Sequence, residues 1–373
     1  MIRLQWLLLA LFTLALTWPV PLHSQATASE YIYTSNFGDF TLSGFSLNTN
    51  TGTLTQLKGS PFPSGIGPEA FAASRKGDFL YVSLGEWSEG GPCGNDLAQA
   101  ASYAIAPTTG ELTQVDDVTL PEYCPSDLIV DPTGKFVYVA LIDFDFPKVG
   151  AIAALKTRAG AMKPVDGSPF LSPIEVPPGQ NPAIGMLALS LDGTVLYASD
   201  PNNTAGILIF DRDTSSGSLT FRTTFDSETP LGPIAITPSG KYLVAAPPSG
   251  SGMYVYSIGS NGDLTAVPGS PFASPNVSIT DGISISPNGQ FVAVAEQGGT
   301  TIQRINRTSG ALSLVPGSPF GGFLPYAVTF DPSGNFVMVP GTVYRIHPET
   351  GILTKVSTFT TGNFAWDITG VRE

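Results

Sequence analysis

The sequence predicts an all-β protein, a seven-bladed β-propeller with four strands in each blade. Three observations predict this fold. A strand–turn–strand unit recurs six times, a Gly-Ser-Pro-Phe motif recurs four times, and the two chain ends each match part of a blade. Several short strands that repeat with a period of about 40–50 residues are typical of propeller blades.

The longer unit is an apolar run, a tight turn that ends in glycine, and a run of aromatic and β-branched residues. Its turn glycines lie 45 to 59 residues apart. Proline and glycine favour the turn, and the aromatic and β-branched residues favour a half-buried strand. The clearest copies are Leu128–Ala140, Ile234–Ala246, Ile283–Ala295 and Val328–Val339, and the weaker ones are Phe71–Leu84 and Leu187–Ser199.

Two further strands complete each predicted blade. The third strand is expected at segments such as Gly206–Phe210, Met253–Ile258 and Thr301–Ile305. A second turn, usually Thr-Gly or Ser-Gly, leads into the fourth strand, which is expected at Leu54–Leu57, Leu112–Val115, Leu312–Val315 and Leu353–Val356. No stretch after the N-terminal leader has a helical apolar period.

The chain ends predict how the ring closes. Tyr31–Ser35 matches the second strand of a blade, whereas Phe364–Val371 resembles a first strand with no second strand after it. The C-terminal segment is therefore expected to supply the innermost strand of the first blade. This closure gives seven blades in one domain, residues 29–373, and removes the edge that an open array would expose.

The N-terminus predicts export. Residues 1–28 have the pattern of a secretory signal peptide: Arg3, then the apolar core Leu7–Leu16, then small residues. This core is too short to span a bilayer of about 30 Å as a helix. The alternative is a retained N-terminal anchor. We expect a periplasmic or secreted protein.

The charge balance limits the partners. The chain has 17 basic and 30 acidic residues, a net charge of −13. Such a chain is not expected to bind nucleic acid or an anionic membrane surface. No later apolar run is long enough for a membrane span, so we expect a monomeric ring that is not an integral membrane protein.

The two cysteines are Cys93 and Cys124. The repeat places Cys93 between the second and third strands of blade 2, and Cys124 in the link from blade 2 to blade 3. Both segments emerge on the same face at neighbouring blades, and export permits oxidation. We expect a Cys93–Cys124 disulfide. The alternative is a pair of catalytic or metal-bound thiols, although neither cysteine lies in a motif with metal-ligand spacing.

Several motifs resemble a known family. The units DPTGKFVYVA at Asp131–Ala140 and DPSGNFVMV at Asp331–Val339, the Thr-Gly-x-Leu-Thr turns and the Gly-Ser-Pro-Phe links resemble the seven-bladed propeller lactonases. That family includes bacterial 6-phosphogluconolactonases and fungal carboxy-muconate cyclases. The resemblance covers about residues 30–371 and implies the propeller fold and lactone hydrolysis. The matching residues belong to turns and strands, and a scaffold does not fix chemistry.

The sequence departs from the family at the expected site. The resemblance implies histidine, arginine and glutamate over the central channel. Here His23 falls in the leader, and His347 lies beside a turn on the opposite face. Arg304 and Arg345 fall in third strands. Two functions therefore remain open: a lactonase, or a non-catalytic exported propeller that binds a carbohydrate, a peptide or an envelope partner.

The candidate site is the channel mouth on the face that carries the blade-linking loops. Residues that enter the innermost strands line this mouth, and the candidate ligand-binding residues are Glu69, Asp127, Asp281, Tyr326 and Asp367. Three interpretations of the acidic residues remain open: a solvated rim, a calcium site formed by Glu69, Asp127 and Asp281, or a catalytic pair, Glu69 and Asp281, that activates water. The ligand is expected to be a small molecule, a carbohydrate or a peptide.

Overall fold

The fold is that of a computed structural model. It describes residues 29–372 except 86, 89–90, 93–97, 122–123, 143–149, 175–183, 203–205, 250–251, 276–279, 297 and 322–325; for 87–88, 91–92 and 280–281 it describes the backbone alone. The predicted signal peptide, residues 1–28, therefore lies outside the described residues and stays a prediction.

Seven antiparallel sheets form the ring. In six of them the strands follow chain order from the innermost to the outermost, and in the first the C-terminal strand is innermost. The innermost strands contact one another in turn around the whole ring. Blade 1 consists of Ile368–Arg372, Glu30–Asn36, Thr41–Leu47 and Leu54–Gln56. Blade 2 consists of Gly67–Ala73, Phe79–Gly85, Gln99–Ile105 and Leu112–Thr119. Blade 3 consists of Cys124–Val130, Phe136–Ile142, Ala151–Arg158 and Ala161–Pro164.

The remaining blades follow the same order. Blade 4 consists of Leu187–Leu189, Val195–Ser199, Ile207–Arg212 and Leu219–Phe225. Blade 5 consists of Ile234–Ile236, Tyr242–Ala245, Tyr254–Ile258 and Leu264–Ala266. Blade 6 consists of Thr280–Ile285, Phe291–Glu296, Gly299–Ile305 and Leu312–Leu314, and blade 7 of Thr329–Phe330, Phe336–Val339, Thr342–Ile346 and Leu353–Thr358. The predicted propeller of seven four-stranded blades is confirmed.

The predicted ring closure is also confirmed, with one correction. The C-terminal strand pairs antiparallel with Glu30–Asn36, and Tyr31 lies opposite Val371. The strand begins at Ile368, however, and not at Phe364 as predicted. Phe364 has a left-handed φ of 51°, which belongs to a turn and not to a strand.

We call the side with the blade-linking segments and the second-to-third-strand loops the loop face, and the other side the turn face. On the turn face, the first turn of each repeat is fixed by a side-chain oxygen three residues before the glycine. That oxygen accepts the backbone N–H five residues further on, as Ser286 does from Phe291 at 2.9 Å. The equivalent acceptors in the other copies are Ser74, Asp131, Ser190, Thr237 and Asp331.

The Gly-Ser-Pro-Phe motif is a second structural device. In each copy the Ser–Pro peptide bond is cis. The serine hydroxyl accepts a backbone N–H from the third strand of the same blade, as Ser270 does from Val255 at 3.0 Å. The equivalent serines are Ser60, Ser168 and Ser318. The motif therefore attaches the segment that follows the outermost strand to the third strand of the same blade.

Tyrosine side chains connect neighbouring blades across the buried core. The hydroxyl of Tyr138 in blade 3 donates to the Gly217 carbonyl of blade 4 at 2.8 Å, and Tyr197 in blade 4 donates to Gly262 of blade 5 at 2.7 Å. The described residues include one 3-10 segment, Phe37–Asp39. Among them we find no helix with the length and apolarity required to cross a membrane.

Candidate active site

The innermost strands are irregular where they enter from the loop face. The pairing register shifts between Pro68 and Phe71 in blade 2, between Pro125 and Asp127 in blade 3, and between Thr280 and Gly282 in blade 6. Such bulges release one or two residues from the ladder and redirect their side chains, and they are frequent beside active sites. The residues at these breaks include Glu69 and Asp281, which the sequence predicts as site residues.

A cavity of about 550 Å³ occupies the centre of the ring at these entries. Four of the predicted site residues line it, namely Glu69, Asp127, Tyr326 and Asp367. We call it the central cavity. The side chain of Asp281 lies outside the described residues, although its neighbours Gly282 and Ile283 also line the wall. Four of the predicted residues therefore lie at one cavity, and their role in ligand binding stays a prediction, as does that of Asp281.

Two of the cavity carboxylates also join neighbouring blades. Asp367 of blade 1 accepts the N–H of Phe71 in blade 2 at 2.9 Å, and Asp127 of blade 3 accepts the N–H of Leu187 in blade 4 at 2.7 Å. The Asp367 carboxylate also accepts the N–H of Ile368 at 2.7 Å. These bonds fix the carboxylates at the cavity wall.

The environment makes both carboxylates unusually weak acids. Burial raises the pKa of Asp367 to about 7, the nearby negative charge of Asp127 adds to this, and the two backbone N–H donors oppose it. Burial raises the pKa of Asp127 to about 6, also against its backbone hydrogen bonds. The mutual repulsion indicates that the two groups share one electrostatic environment. At neutral pH both the protonated and the ionised form of Asp367 are therefore populated.

The cavity contains residues that sequence reasoning missed. Trp366 lines it and stacks on Phe37, with ring centroids 4.2 Å apart and ring planes 13° apart. Ser284 also lines it, and its hydroxyl accepts the N–H of Phe330 at 3.3 Å. The available signal for Trp366 was its position directly before Asp367, but the prediction of a strand over Phe364–Val371 treated Trp366 as a regular strand residue.

The cationic side chains that the sequence analysis considered make their contacts outside the central cavity. No lysine, arginine or histidine is among the described residues that line the central cavity. Arg304 lies 4.9 Å from the Phe291 ring centroid, and Arg345 lies 4.6 Å from that of Phe336. His347 caps its own turn, where Nδ1 accepts the N–H of Glu349 at 3.2 Å. The predicted placement of His347, Arg304 and Arg345 away from the channel mouth is confirmed.

The calcium and cysteine predictions remain untested. Within the described part of the chain, no three His, Cys, Asp or Glu side chains are grouped as a metal ion would require. One predicted calcium ligand, Asp281, has its side chain outside that part. Cys124 is buried at the start of the innermost strand of blade 3, rather than in the preceding link, and Cys93 lies outside the described residues. The Cys93–Cys124 disulfide stays a prediction.

Known structures share this architecture. A proposed 6-phosphogluconolactonase from Bacteroides uniformis has a TM-score of 0.78 at 19% identity, over 92% of this chain and 100% of that one. A proposed 6-phosphogluconolactonase from Bacteroides fragilis has a TM-score of 0.77 at 17% identity, over 93% and 99% of the two chains. The periplasmic gluconolactonase of Pseudomonas aeruginosa has a TM-score of 0.75 at 18% identity, over 92% and 99%.

These likenesses establish the lactonase-like propeller fold that the turn and link motifs predicted. No protein-family model matches the sequence, and comparison with curated proteins gives no match. At such low identity the activity does not follow from the fold, because one scaffold carries many functions. The chemistry must be argued from the central cavity.

Proposed function

We propose that this protein hydrolyses a lactone in the central cavity. One observation carries the proposal: a ring-centre cavity lined by Glu69, Asp127 and Asp367, in which the pKa of Asp367 is raised to about 7. A general base works best when its pKa lies near the operating pH. The likeness to a periplasmic gluconolactonase supports a cyclic ester as the substrate class.

The chemistry requires one proton acceptor and one donor. Ionised Asp367 removes a proton from water as the water oxygen attacks the lactone carbonyl carbon, which gives a tetrahedral oxyanion. When this intermediate collapses, the bond from the carbonyl carbon to the ring oxygen breaks. The protonated carboxyl then returns its proton to the leaving oxygen. The product is an open-chain hydroxy acid, and Asp367 is ionised again.

Polar neighbours position the substrate. Ser284 accepts a backbone N–H, and its own hydroxyl proton can be donated to a substrate oxygen. The Trp366 indole and the Tyr326 ring supply flat apolar walls. Glu69 lies at a strand bulge and is more accessible than Asp127, so it is placed to accept hydrogen bonds from substrate hydroxyls.

The charge of the cavity selects among lactones. A phosphate ester requires convergent cations, and the described lining has none. Its carboxylates would repel a phosphate group. We therefore propose a neutral sugar lactone, such as an aldonolactone, rather than a phosphorylated one.

A lactone assay tests this proposal. The purified protein should open glucono-1,5-lactone faster than the uncatalysed reaction and should discriminate against the 6-phosphorylated lactone. Loss of an acid–base group typically costs about 10²–10⁴-fold in rate, so Asp367→Asn should lower kcat on that scale. Glu349→Gln, which removes an exposed carboxylate on the turn face, is the control. Assays with EDTA and with added calcium test the metal hypothesis separately. No turnover on a neutral lactone panel would exclude the lactonase.

The alternative function is a non-catalytic binding propeller for a carbohydrate, peptide or envelope partner. The hydrogen bonds of Asp127 to Leu187 and of Asp367 to Phe71 favour it, because they give both carboxylates a structural role that needs no catalysis. This reading predicts saccharide or peptide binding in the cavity without turnover. Titration calorimetry with the lactone panel and its acid products distinguishes the two.

Export and the disulfide belong to the same proposal. We propose that residues 1–28 are removed on export, that residues 29–373 act as a monomer, and that Cys93 pairs with Cys124. Mass spectrometry of the exported protein should show cleavage near Ala28 and no alkylation before reduction. Two alkylated cysteines without reduction would exclude the disulfide, and an intact N-terminus would favour an anchor.

A further inference from the structure

A second cavity lies beside the first on the loop face. It has a volume of about 540 Å³ and lies between blades 6 and 7 and the segment that leads into the closing strand. We call it the outer cleft. Its aromatic lining residues are Phe320, Tyr326, Tyr344 and Phe364. Phe364 is 62% exposed and Tyr326 is 41% exposed, so their rings are available to a ligand.

The turn that presents Phe364 is firmly held. The Phe364 carbonyl accepts the N–H of Phe37 at 3.0 Å, and the Asn363 carbonyl accepts that of Gly38 at 3.1 Å. Asp39 accepts the N–H of Asn363 at 2.8 Å. Phe364 keeps a left-handed φ of 51°, which costs energy for a non-glycine residue and is frequent at ligand sites. The backbone that presents this exposed aromatic ring is thus held by hydrogen bonds to the Phe37–Asp39 segment.

The polar lining of the outer cleft differs from that of the central cavity. It contains the side chains of Thr342, Thr361 and Lys355, and no acidic residue is among its described lining residues. Hydroxyl and ammonium groups bind neutral hydroxylated ligands by hydrogen bonds. Aromatic faces carry negative quadrupole charge and pack against the C–H faces of sugar rings.

The two cavities adjoin. Tyr326 lines both of them. One short segment also serves both, since Phe364 and Ala365 line the outer cleft whereas Trp366 and Asp367 line the central cavity. Tyr326 therefore lies at the boundary between the aromatic cleft and the carboxylate-lined central cavity.

We propose that the outer cleft binds the second sugar ring of a disaccharide lactone whose lactone ring occupies the central cavity. This inference rests on the proposed lactonase function and narrows its substrate to aldonolactones that carry a glycosyl substituent. Phe364 stacks on the second ring, and Lys355 and the threonines bond its hydroxyls. Binding energy from this remote ring is available to raise kcat/KM.

The test compares maltobiono-1,5-lactone with glucono-1,5-lactone, each corrected for uncatalysed opening. The protein should show at least about tenfold higher kcat/KM for the disaccharide lactone, since tenfold corresponds to about 1.4 kcal/mol. Phe364→Ala should reduce the ratio of the two kcat/KM values about tenfold, and Phe364→Trp should restore it. Phe40→Ala is the matched control, because Phe40 has a φ of 55° and is 46% exposed but is not among the cleft lining residues.

Binding of maltitol, measured by saturation-transfer NMR, separates failure of the inference from failure of the lactonase. Hydrolysis of both lactones with a ratio that Phe364→Ala leaves unchanged overturns the inference and keeps the lactonase. If neither lactone is hydrolysed, maltitol binding that Phe364→Ala abolishes and Phe40→Ala preserves still supports the second-ring site. Absence of maltitol binding and of any disaccharide preference overturns it.

Discussion

The carboxylate of Asp367 accepts the backbone N–H of Phe71 at 2.9 Å, across the boundary between blades 1 and 2. Asp367 directly precedes the strand that closes the ring, and it lines the central cavity. The Asp367 carboxylate therefore has a structural role at the boundary between two blades and a proposed catalytic role in the cavity. Glu69 also lines the cavity, from the bulge of blade 2, and Glu69→Gln removes its charge while keeping the size of the side chain.

We predict that Asp367→Ala lowers both activity and stability, whereas Glu69→Gln lowers activity alone. Removal of the Asp367 carboxylate leaves the N–H groups of Phe71 and Ile368 without their acceptor, at about 1–3 kcal/mol for each buried group. Thermal unfolding monitored by circular dichroism, together with the lactone assay, measures both effects. An Asp367→Ala protein with unchanged Tm would contradict the structural role.

The buried acids predict that the fold is more stable at pH 5 than at pH 8. Burial raises the pKa of Asp127 to about 6, and those of Asp367, Glu30 and Glu296 to about 7. For Glu30, the charge of Asp331 adds to this, and that of Arg372 opposes it. The folded state thus binds these protons more tightly, and the resulting stability is full below about pH 4 and is lost as pH rises through 6–7. We expect Tm to fall on the order of 5 °C between pH 5 and 8.

Removal of the charge at one buried site tests whether the buried acids cause this pH dependence, and removal of an exposed charge is the control. Glu296→Gln should weaken the dependence, because Glu296 is almost fully buried, whereas the exposed Glu349→Gln should not. Below pH 4 the opposite pH dependence is expected, because another carboxylate stabilises the fold only in its ionised form. Burial raises the pKa of Asp131, but its hydrogen bonds and the charge of Arg212 together lower it on balance, so its contribution to stability is lost on acidification. A Tm that rises steadily from pH 5 to pH 8 would refute the prediction.

The fold was predictable because its signals are local and repeated. The turn glycines mark the first two strands of six blades, and the match of Tyr31–Ser35 to a second strand and of the C-terminal segment to a first strand indicates the closure of the seventh. The central cavity was predictable because the propeller topology brings the entries of the innermost strands together. Bulges at Glu69 and Ser126 were not predictable, since no local sequence motif marks these register shifts.

The outer cleft was not predictable for a similar reason. Phe364 belongs to a segment with strand-like residues, and its turn is imposed by hydrogen bonds to Asp39 and Phe37, more than 300 residues away in sequence. The stacking of Trp366 on Phe37 spans the same separation. Contacts between the two chain ends leave no periodic trace in the sequence.

We predict that Arg212→Met is strongly destabilising. Arg212 Nη2 lies 3.0 Å from Asp131 Oδ2, and the side chains are 1% and 0% exposed. Its substitution leaves a buried carboxylate unpaired, which costs about 3–5 kcal/mol. Arg222→Met is the control, because Arg222 pairs with the exposed Asp211 and such pairs contribute about 0–1 kcal/mol. Urea unfolding of both variants measures the difference, and equal losses would contradict the distinction.

We predict that the serine of each Gly-Ser-Pro-Phe motif stabilises its blade through its hydroxyl. Ser270→Ala removes the acceptor of the Val255 N–H and should cost about 1–3 kcal/mol. Ser168→Ala, which removes the acceptor of the Ala154 N–H in blade 3, should behave alike. Ser257→Ala is the matched control, since its hydroxyl bond to Thr265 is exposed. If urea unfolding shows the same loss in the free energy of unfolding for Ser257→Ala as for the two motif variants, the hydroxyls of the motif serines do not stabilise the blades.

Removal of residues 364–373 should open the ring. The deletion takes away the strand that pairs with Glu30–Asn36, so the backbone N–H and C=O groups of that strand become an unpaired edge. Unpaired edges template intermolecular pairing, and we expect oligomers in size-exclusion chromatography with light scattering, and thioflavin-positive aggregates on standing. A synthetic peptide of residues 364–373 should restore the monomer by occupying the vacant position, whereas a scrambled peptide should not. A truncated protein that stays monomeric with unchanged Tm would show that the closing strand is not needed to protect this edge.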